Sequence, residues 1–195
     1  MARTPSSMRL PLGSAAPDFA LPDPCSGRIV RLADFASAPA LVVAFISNHC
    51  PFVQHIRAGL AAFGRDAQAR GAAVIAIGSN SVLTHPEDGP ERIPDEVRAA
   101  GYTFPYLFDE TQEVAKAYYA ACTPDFFLFD AARRLAYRGQ FDDSRPGNGK
   151  PVTGASLRAA LEAVLSGRPV PEPQLPSLGC NIKWHPGREP AWWNR

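Results

Sequence analysis

The sequence has no block of like charges and no long hydrophobic run. Lysine and arginine number 20 against 19 aspartates and glutamates, a net charge of +1, and no basic stretch could follow a phosphate backbone. Residues 1–18 contain no continuous apolar stretch that resembles a signal-peptide core, and no later segment is long enough to span a membrane. The sequence therefore predicts a cytoplasmic protein that binds neither nucleic acid nor membrane, and it carries no motif that demands a metal ion or another cofactor.

Cysteine is scarce, and the four cysteines are far apart, at positions 25, 50, 122 and 180. No two of them have C-x-x-C spacing, which argues against a zinc ribbon. In a reducing compartment, isolated cysteines are more often catalytic, redox-sensing or simply buried than joined in structural disulfides.

A chain of 195 residues with 46% hydrophobic residues can build one domain with an ordinary core. We expect a flexible N-terminus over residues 1–15, a folded domain over 16–167 and a tail over 168–195. The tail is rich in proline, carries Cys180 and contains all three tryptophans. Because it is too apolar to be a free linker, we expect it to dock on the body or on a second subunit, so that a homodimer is one possibility.

Hydrophobic periodicity predicts strands that alternate with helices and an antiparallel pair near the end. A short N-terminal β-hairpin extension is expected over 19–32. The predicted strands are 41–47, 73–78, 106–108, 126–130 and 135–141, and the predicted helices are 50–70, 95–100, 110–119 and 156–165. This order is typical of a three-layer α/β sandwich with a mixed central sheet.

Cys50 lies where the apolar run 41–46 gives way to a helix, in the segment Asn48-His49-Cys50-Pro51. Proline suits the first turn of a helix, so the helix is predicted to begin beside this thiol. Unpaired amides and the helix dipole stabilise a thiolate at such a position, and the thiolate is the nucleophile. We therefore predict that Cys50 is reactive; the alternative is a buried structural thiol.

The order of elements, with Cys50-Pro51 at a helix start and Thr123-Pro124 before a strand pair, resembles the thioredoxin fold. Within that superfamily it resembles the peroxiredoxin-like branch, the AhpC/TSA-type redoxins, over about residues 16–167. The resemblance implies a three-layer α/β/α sandwich, a cis peptide bond at Pro124 facing Cys50, and Thr123 lining the site.

Several positions depart from the family pattern. Val53 stands where thioredoxins carry their second cysteine, so Cys50 needs a partner elsewhere or works alone. Peroxiredoxins have a threonine three residues before the reactive cysteine and a proline seven before it, and here these are Ser47 and Val43. Only Ser47 could replace the threonine hydroxyl of the family. The resemblance also implies an arginine close to Pro124, and the sequence has none there.

Two cysteines are candidates for resolving an oxidised Cys50. Cys122 precedes Thr123-Pro124 and should lie near Cys50, although it fits a small buried filler equally well. Cys180 could swing onto Cys50 of the same or another subunit; alternatively, Gly179-Cys180 is only a turn that anchors Trp184. His49 could hydrogen-bond the thiolate or donate a proton to a leaving group, or be a structural loop residue.

Three functions remain open from the sequence. The first is a thiol-disulfide oxidoreductase in which Cys50 attacks a disulfide and Cys180 or Cys122 releases the product. The second is a peroxiredoxin-like thiol peroxidase, an antioxidant enzyme in which Cys50 becomes a sulfenic acid. Either would use an external thiol reductant such as thioredoxin or glutathione. The third is a non-catalytic interaction module that keeps the fold as a scaffold.

Overall fold

The computed structural model describes residues 3–193. The strands are β1 (Thr4–Pro5), β2 (Ala20–Asp23), β3 (Arg28–Arg31), β4 (Ala40–Phe45), β5 (Ala73–Gly78), β6 (Tyr106–Phe108), β7 (Cys122–Thr123), β8 (Asp125–Asp130), β9 (Leu135–Gly139) and β10 (Leu178–Asn181). The helices are α1 (Pro51–Ala69), α2 (Ile93–Ala100), α3 (Glu113–Ala117) and α4 (Ala155–Leu165).

A five-stranded mixed sheet of order β6-β5-β4-β8-β9 forms the centre of the molecule. Strand β4 pairs in parallel with β5 and antiparallel with β8. All six residues of β4 are buried, as its continuous apolar sequence predicts for a strand covered on both faces.

Two hydrophobic cores lie on opposite faces of this sheet, because neighbouring side chains of a strand point in opposite directions. Val42 and Ala44 face a core built with α1, α2 and α4. Leu41 and Val43 face a second core, which contains α3, the β2–β3 hairpin and part of the tail. The predicted three-layer α/β/α sandwich with a mixed sheet is therefore confirmed, as is the N-terminal hairpin.

Helix α1 begins and ends as predicted. Pro51 occupies its first turn, Cys50 is the N-cap residue, and the helix ends just before Gly71, whose φ of +81° is a left-handed conformation. The buried side of the helix includes Phe52, Ile56, Leu60 and Phe63. This apolar stripe holds the helix against the sheet and so fixes the position of Cys50.

The chain departs from prediction in two segments after β5. Helix α3 is only five residues long, because Gln112 before it and Tyr119 after it both adopt positive φ. The segment 80–94, between the predicted strand 73–78 and the predicted helix 95–100, contains a 3₁₀ turn at Pro86–Asp88, and α2 already begins at Ile93. This turn brings Asp88 into the protein interior.

Parts of the N-terminus that was expected to be flexible contact the rest of the protein, although more than half of residues 3–15 are exposed. Strand β10 of the tail lies between β1 and β7 in a small antiparallel sheet, with Thr4 opposite Gly179. Leu10 is buried in the second core. The proline-, serine- and alanine-rich composition predicted flexibility, and no local pattern could identify a strand partner more than 170 residues away. Residues 1, 2, 194 and 195 of the predicted termini lie outside the described residues.

The tail docks on the body of its own chain, one of the two expected outcomes. Ile182 and Trp184 are buried in the second core, and Trp192 and Trp193 pack around them. Between residues 3 and 193, no helix combines the length and the apolar character needed to cross a membrane.

We expect Leu60→Ala to lower the free energy of unfolding by about 2–5 kcal/mol, since it removes a fully buried side chain and leaves a cavity. Leu83→Ala is the matched control, because Leu83 is 76% exposed, and it should change stability by less than about 0.5 kcal/mol. Urea denaturation of the two variants measures both values. Equal losses would contradict this assignment of the core.

Candidate active site

Cys50 lies at the junction of the central strand and the longest helix. Its backbone is extended (φ −72°, ψ 118°), and its carbonyl oxygen accepts the hydrogen bond from the amide of Gln54. The side chain of Cys50 is fully buried. The predicted position at the helix N-terminus is therefore confirmed.

The loop between β7 and β8 faces this thiol. The Thr123–Pro124 peptide bond is cis, as the family resemblance implied. The Cys50 sulfur lies 3.1 Å from the carbonyl oxygen of Thr123, to which it donates when it is protonated. The Thr123 hydroxyl is buried and has no nitrogen or oxygen partner among the described residues, so it is free to donate to sulfur.

The second thiol at the site belongs to the tail. Strand β10 places Cys180 opposite Thr123, and the side chains of Cys180 and Cys50 are hydrogen-bonded to each other. Gly179 makes this approach possible, because a Cβ atom at that position would lie 1.9 Å from the carbonyl oxygen of Thr123. Any side chain larger than hydrogen would push β10, and Cys180 with it, away from Cys50.

The hydrogen bond from Cys180 is the main reason why the pKa of Cys50 is lowered to about 5. Burial acts in the opposite direction, while the Thr123 side chain and the amides of Val53 and Cys180 also lower the pKa. The same bond, together with burial, raises the pKa of Cys180. The two opposite pKa shifts favour a Cys50 thiolate that accepts the proton of Cys180.

Cys122 lies in a different environment. Its side chain is fully buried, it contacts the carbonyl oxygen of Pro124 (3.6 Å), and burial raises its pKa well above the ordinary value. No hydrogen bond joins it to Cys50 in the described part of the chain. The strand alternation that brings Thr123 to the site turns the Cys122 side chain away.

Asp88, which the sequence analysis did not single out, anchors the loop before Cys50. Its carboxylate accepts hydrogen bonds from the amide of Asn48 (2.8 Å), the amide of His49 (3.2 Å) and the side chain of Asn80 (2.7 Å). Burial would raise the pKa of Asp88, but the bonds from His49 and Asn80 outweigh burial and lower it. A buried carboxylate therefore remains ionised and fixes the loop.

Ser47 and His49 both bind Asp88, not the reactive sulfur. The Ser47 hydroxyl donates to the carboxylate (3.1 Å), and Nδ1–H of His49 donates to Oδ2 (2.6 Å). The latter bond raises the pKa of His49. The His49 ring also stacks on His85, with ring centroids 4.8 Å apart.

One cluster near the site contains possible metal ligands. Ligand atoms of His49, His85 and Glu87 lie within 4.8 Å of one another. The two imidazole rings are stacked with an interplanar angle of 22°, so their lone pairs run in nearly parallel planes and do not converge on one ion. The cluster thus lacks the geometry of a formed metal site.

The length of one loop could have pointed to Asp88. The segment 80–94 is an unusually long connection, and long loops in compact domains are often functional. The contacts of Gly179 and Cys180 with Thr123 carry no such local signal, because they depend on strand pairing across 57 residues.

A mixed-sheet sandwich whose cis-proline loop faces a cysteine at a helix N-terminus is the arrangement of thioredoxin-like redoxins, and this chain has that fold. It belongs to the AhpC/TSA family, whose model matches residues 12–138.

Several solved structures share this fold. An uncharacterized conserved protein from Geobacillus kaustophilus is 55% identical, with a TM-score of 0.93 over 96% of this chain and 98% of its own. A hypothetical protein from Sinorhizobium meliloti 1021 is 59% identical, with a TM-score of 0.92 over 94% of this chain and 100% of its own. Peroxidoxin BcpB from Mycobacterium tuberculosis, 18% identical, shares the fold with a TM-score of 0.59 over 80% of this chain and 96% of its own. No functionally curated protein matches the chain.

We expect Cys180→Ala to raise the pKa of Cys50 from about 5 by more than about one unit, since it removes the main donor to the thiolate. Cys122→Ala is the matched control and should leave that pKa unchanged. The ultraviolet absorbance of the thiolate, followed against pH in a Cys25→Ser background, measures it without requiring access to the buried sulfur. Equal shifts in both variants would contradict the role of the Cys180 donor.

We expect Asp88→Asn to lower the pKa of His49, because the hydrogen bond that raises it loses its charged acceptor. The Asp88–His49 pair stabilises the fold most between pH 3.8 and pH 6.5, which are the ordinary pKa values of Asp and His. The His49 part is lost as pH rises through its raised pKa, and the Asp88 part as pH falls through its lowered pKa.

NMR titration of the His49 ring tests this, with the exposed Asp143→Asn as control. An unchanged His49 titration in Asp88→Asn would refute the assignment.

Proposed function

We propose that this protein is a thiol-disulfide oxidoreductase in which the Cys50 thiolate is the nucleophile and Cys180 is the resolving thiol. The single observation that supports the proposal most is the hydrogen bond between the two side chains, with the lowered pKa of Cys50 as its consequence. A thiolate that is populated at neutral pH and a second thiol in contact with it are what dithiol exchange requires.

The proposed reaction has two steps. The Cys50 thiolate attacks one sulfur of a substrate disulfide, so that an S–S bond forms to Cys50 and the other substrate sulfur leaves as a thiolate. Cys180 then loses its proton and attacks the Cys50 sulfur of this mixed disulfide. The second substrate sulfur leaves, the Cys50–Cys180 disulfide remains, and two electrons have passed to the substrate. An external thiol returns the protein to its reduced form.

Substrate access to Cys50 requires movement of β10, because the reactive sulfur is fully buried. The strand forms two residue pairs on each side, to β1 and to β7, and backbone hydrogen bonds at Ser177 and Ile182 extend this short ladder. So short a ladder opens at a lower free energy than the central sheet. In the proposed cycle, its displacement exposes Cys50, and its return brings Cys180 onto the mixed disulfide.

The peroxidase alternative has less support from the contacts. Peroxide cleavage needs donors aimed at the reacting oxygens, but the Ser47 hydroxyl donates to Asp88. The Arg145 guanidinium, which lines a small cavity together with Pro124, donates to the backbone of Asp142 and Ser144 and to Gln140. The non-catalytic module would need no lowered pKa at Cys50.

A cytoplasmic location stays a prediction.

We expect mild oxidation with a small disulfide to join Cys50 to Cys180 within one chain, as read by mass spectrometry of peptides. Cys180→Ser should instead accumulate a mixed disulfide at Cys50, and Cys122→Ser should behave like the unmodified protein. A persistent free thiol at Cys50, or a Cys50–Cys122 link, would overturn the proposed pair.

The peroxidase alternative is separated by a second assay on the same proteins. Peroxide consumption coupled to thioredoxin or glutathione, fast in the unmodified protein and abolished in Cys50→Ser, would favour it. We expect disulfide reduction to depend on Cys50 and peroxide consumption to remain at the rate of an ordinary thiol.

A further inference from the structure

An open groove of about 820 Å³ lies beside the tail, on the side of the molecule where β1 forms the edge of its sheet. Its volume is that of a small-molecule site. All three tryptophans of the chain line it, and they pack edge to face on one another, with centroids about 6 Å apart. They form an apolar wall that suits the body of a ligand rather than solvent.

The groove is positively charged. Arg3, Arg9 and Lys183 line it against one acidic residue, Glu189. Neither arginine forms a salt bridge within residues 3–193, and the Lys183 ammonium donates to the uncharged carbonyl and amide oxygens of Asn181. Cations without acidic partners beside an aromatic wall favour a ligand that carries carboxylates.

Polar groups interrupt the apolar lining. The hydroxyl residues Thr4, Ser7 and Thr84 and the amide of Asn181 line the groove along with the tryptophans. An aliphatic chain would favour a continuous apolar tunnel, whereas peptide-like ligands contain amides that these groups can bind. The mixed lining therefore favours a peptide-like carboxylate.

The groove lies next to the segments that carry the two thiols, although neither sulfur lines it. Asn181 follows Cys180, and His85 stacks on His49, which precedes Cys50. Lys183 also acts on Cys180 directly, since its charge opposes the rise in the pKa of that thiol. A ligand in the groove would thus lie at the segment whose movement exposes the two sulfurs.

We propose that this groove binds a small, carboxylate-bearing, peptide-like thiol, which reduces the Cys50–Cys180 disulfide. The reducing role rests on the proposed function; binding does not. A first thiolate attacks the disulfide, forms a mixed disulfide with one cysteine and releases the other as a thiolate. A second thiolate attacks the mixed disulfide and releases the remaining cysteine. Two thiols become one small disulfide, and two electrons pass to the protein.

Binding is tested without redox chemistry in Cys50→Ser/Cys180→Ser. The probe is S-methylglutathione, which carries two carboxylates and no reactive sulfur. Tryptophan fluorescence reports on the groove alone, because every tryptophan lines it. We expect a saturable change, and Arg3→Glu/Arg9→Glu should weaken binding by at least about fivefold. The matched control Arg28→Glu/Arg65→Glu changes the same charge outside the groove and should bind normally.

Three results would overturn the groove assignment: no saturable change, equal weakening by both charge reversals, or undiminished binding of the dimethyl ester of the probe. Saturable binding of laurate in place of the peptide would also overturn it, in favour of an aliphatic acid.

The reducing role has its own test in the oxidised protein. Reduction by glutathione should be saturable and should lose saturation in Arg3→Glu/Arg9→Glu, whereas reduction by 2-mercaptoethanol should be unchanged. If reduction by glutathione remains saturable in Arg3→Glu/Arg9→Glu, the reducing role is refuted. If oxidation never joins Cys50 to Cys180, the proposed function fails. The fluorescence titration still shows whether the groove binds the probe.

Discussion

The hydrogen bond between the Cys50 and Cys180 thiols is the interaction on which the site depends. Burial alone would raise the pKa of Cys50, and the donors from the tail reverse the sign of that shift. Those donors are present only because β10 inserts between β1 and β7. The N-terminal strand, the tail and Gly179 are therefore parts of the active site, although none of them belongs to the central sheet.

A second constraint acts from the opposite side of Cys50. The Asp88 carboxylate binds two consecutive amides and two side chains of the loop Ser47-Asn48-His49. A buried carboxylate with so many donors costs little to keep ionised, and its removal would leave several buried donors unpaired. The loop is thus held by charge on one side and by the sheet on the other. This arrangement explains why Ser47, which could have replaced the family threonine, does not face the reactive sulfur.

The sequence was sufficient for those features that depend on local pattern. The N-terminus of α1 at Cys50, the buried strand β4 and the helix stop at Gly71 follow from periodicity, Pro51 and glycine chemistry. The cis bond before Pro124 followed from resemblance. What sequence could not supply were contacts between distant segments: Thr4 against Gly179, Cys180 against Thr123, and Asp88 against the loop 40 residues earlier. The first fifteen residues were expected to be flexible for the same reason, since nothing in them identifies a partner strand in the tail.

One strand both activates Cys50 and covers it, and this double role sets a requirement on the dynamics of the site. With β10 in place, the Cys50 sulfur is buried and the donors from the tail lower its pKa. In the proposed cycle, displacement of β10 exposes the sulfur but removes those donors. Reactivity is therefore greatest if the opening is brief compared with reprotonation, or if the substrate itself supplies donors to the thiolate. Once a Cys50–Cys180 disulfide forms, the shared proton is gone and a covalent bond holds the strand in its place. The reductant must then attack a closed site, which is why a groove beside β10, lined by cations that could hold an anionic thiol next to it, is in a useful position.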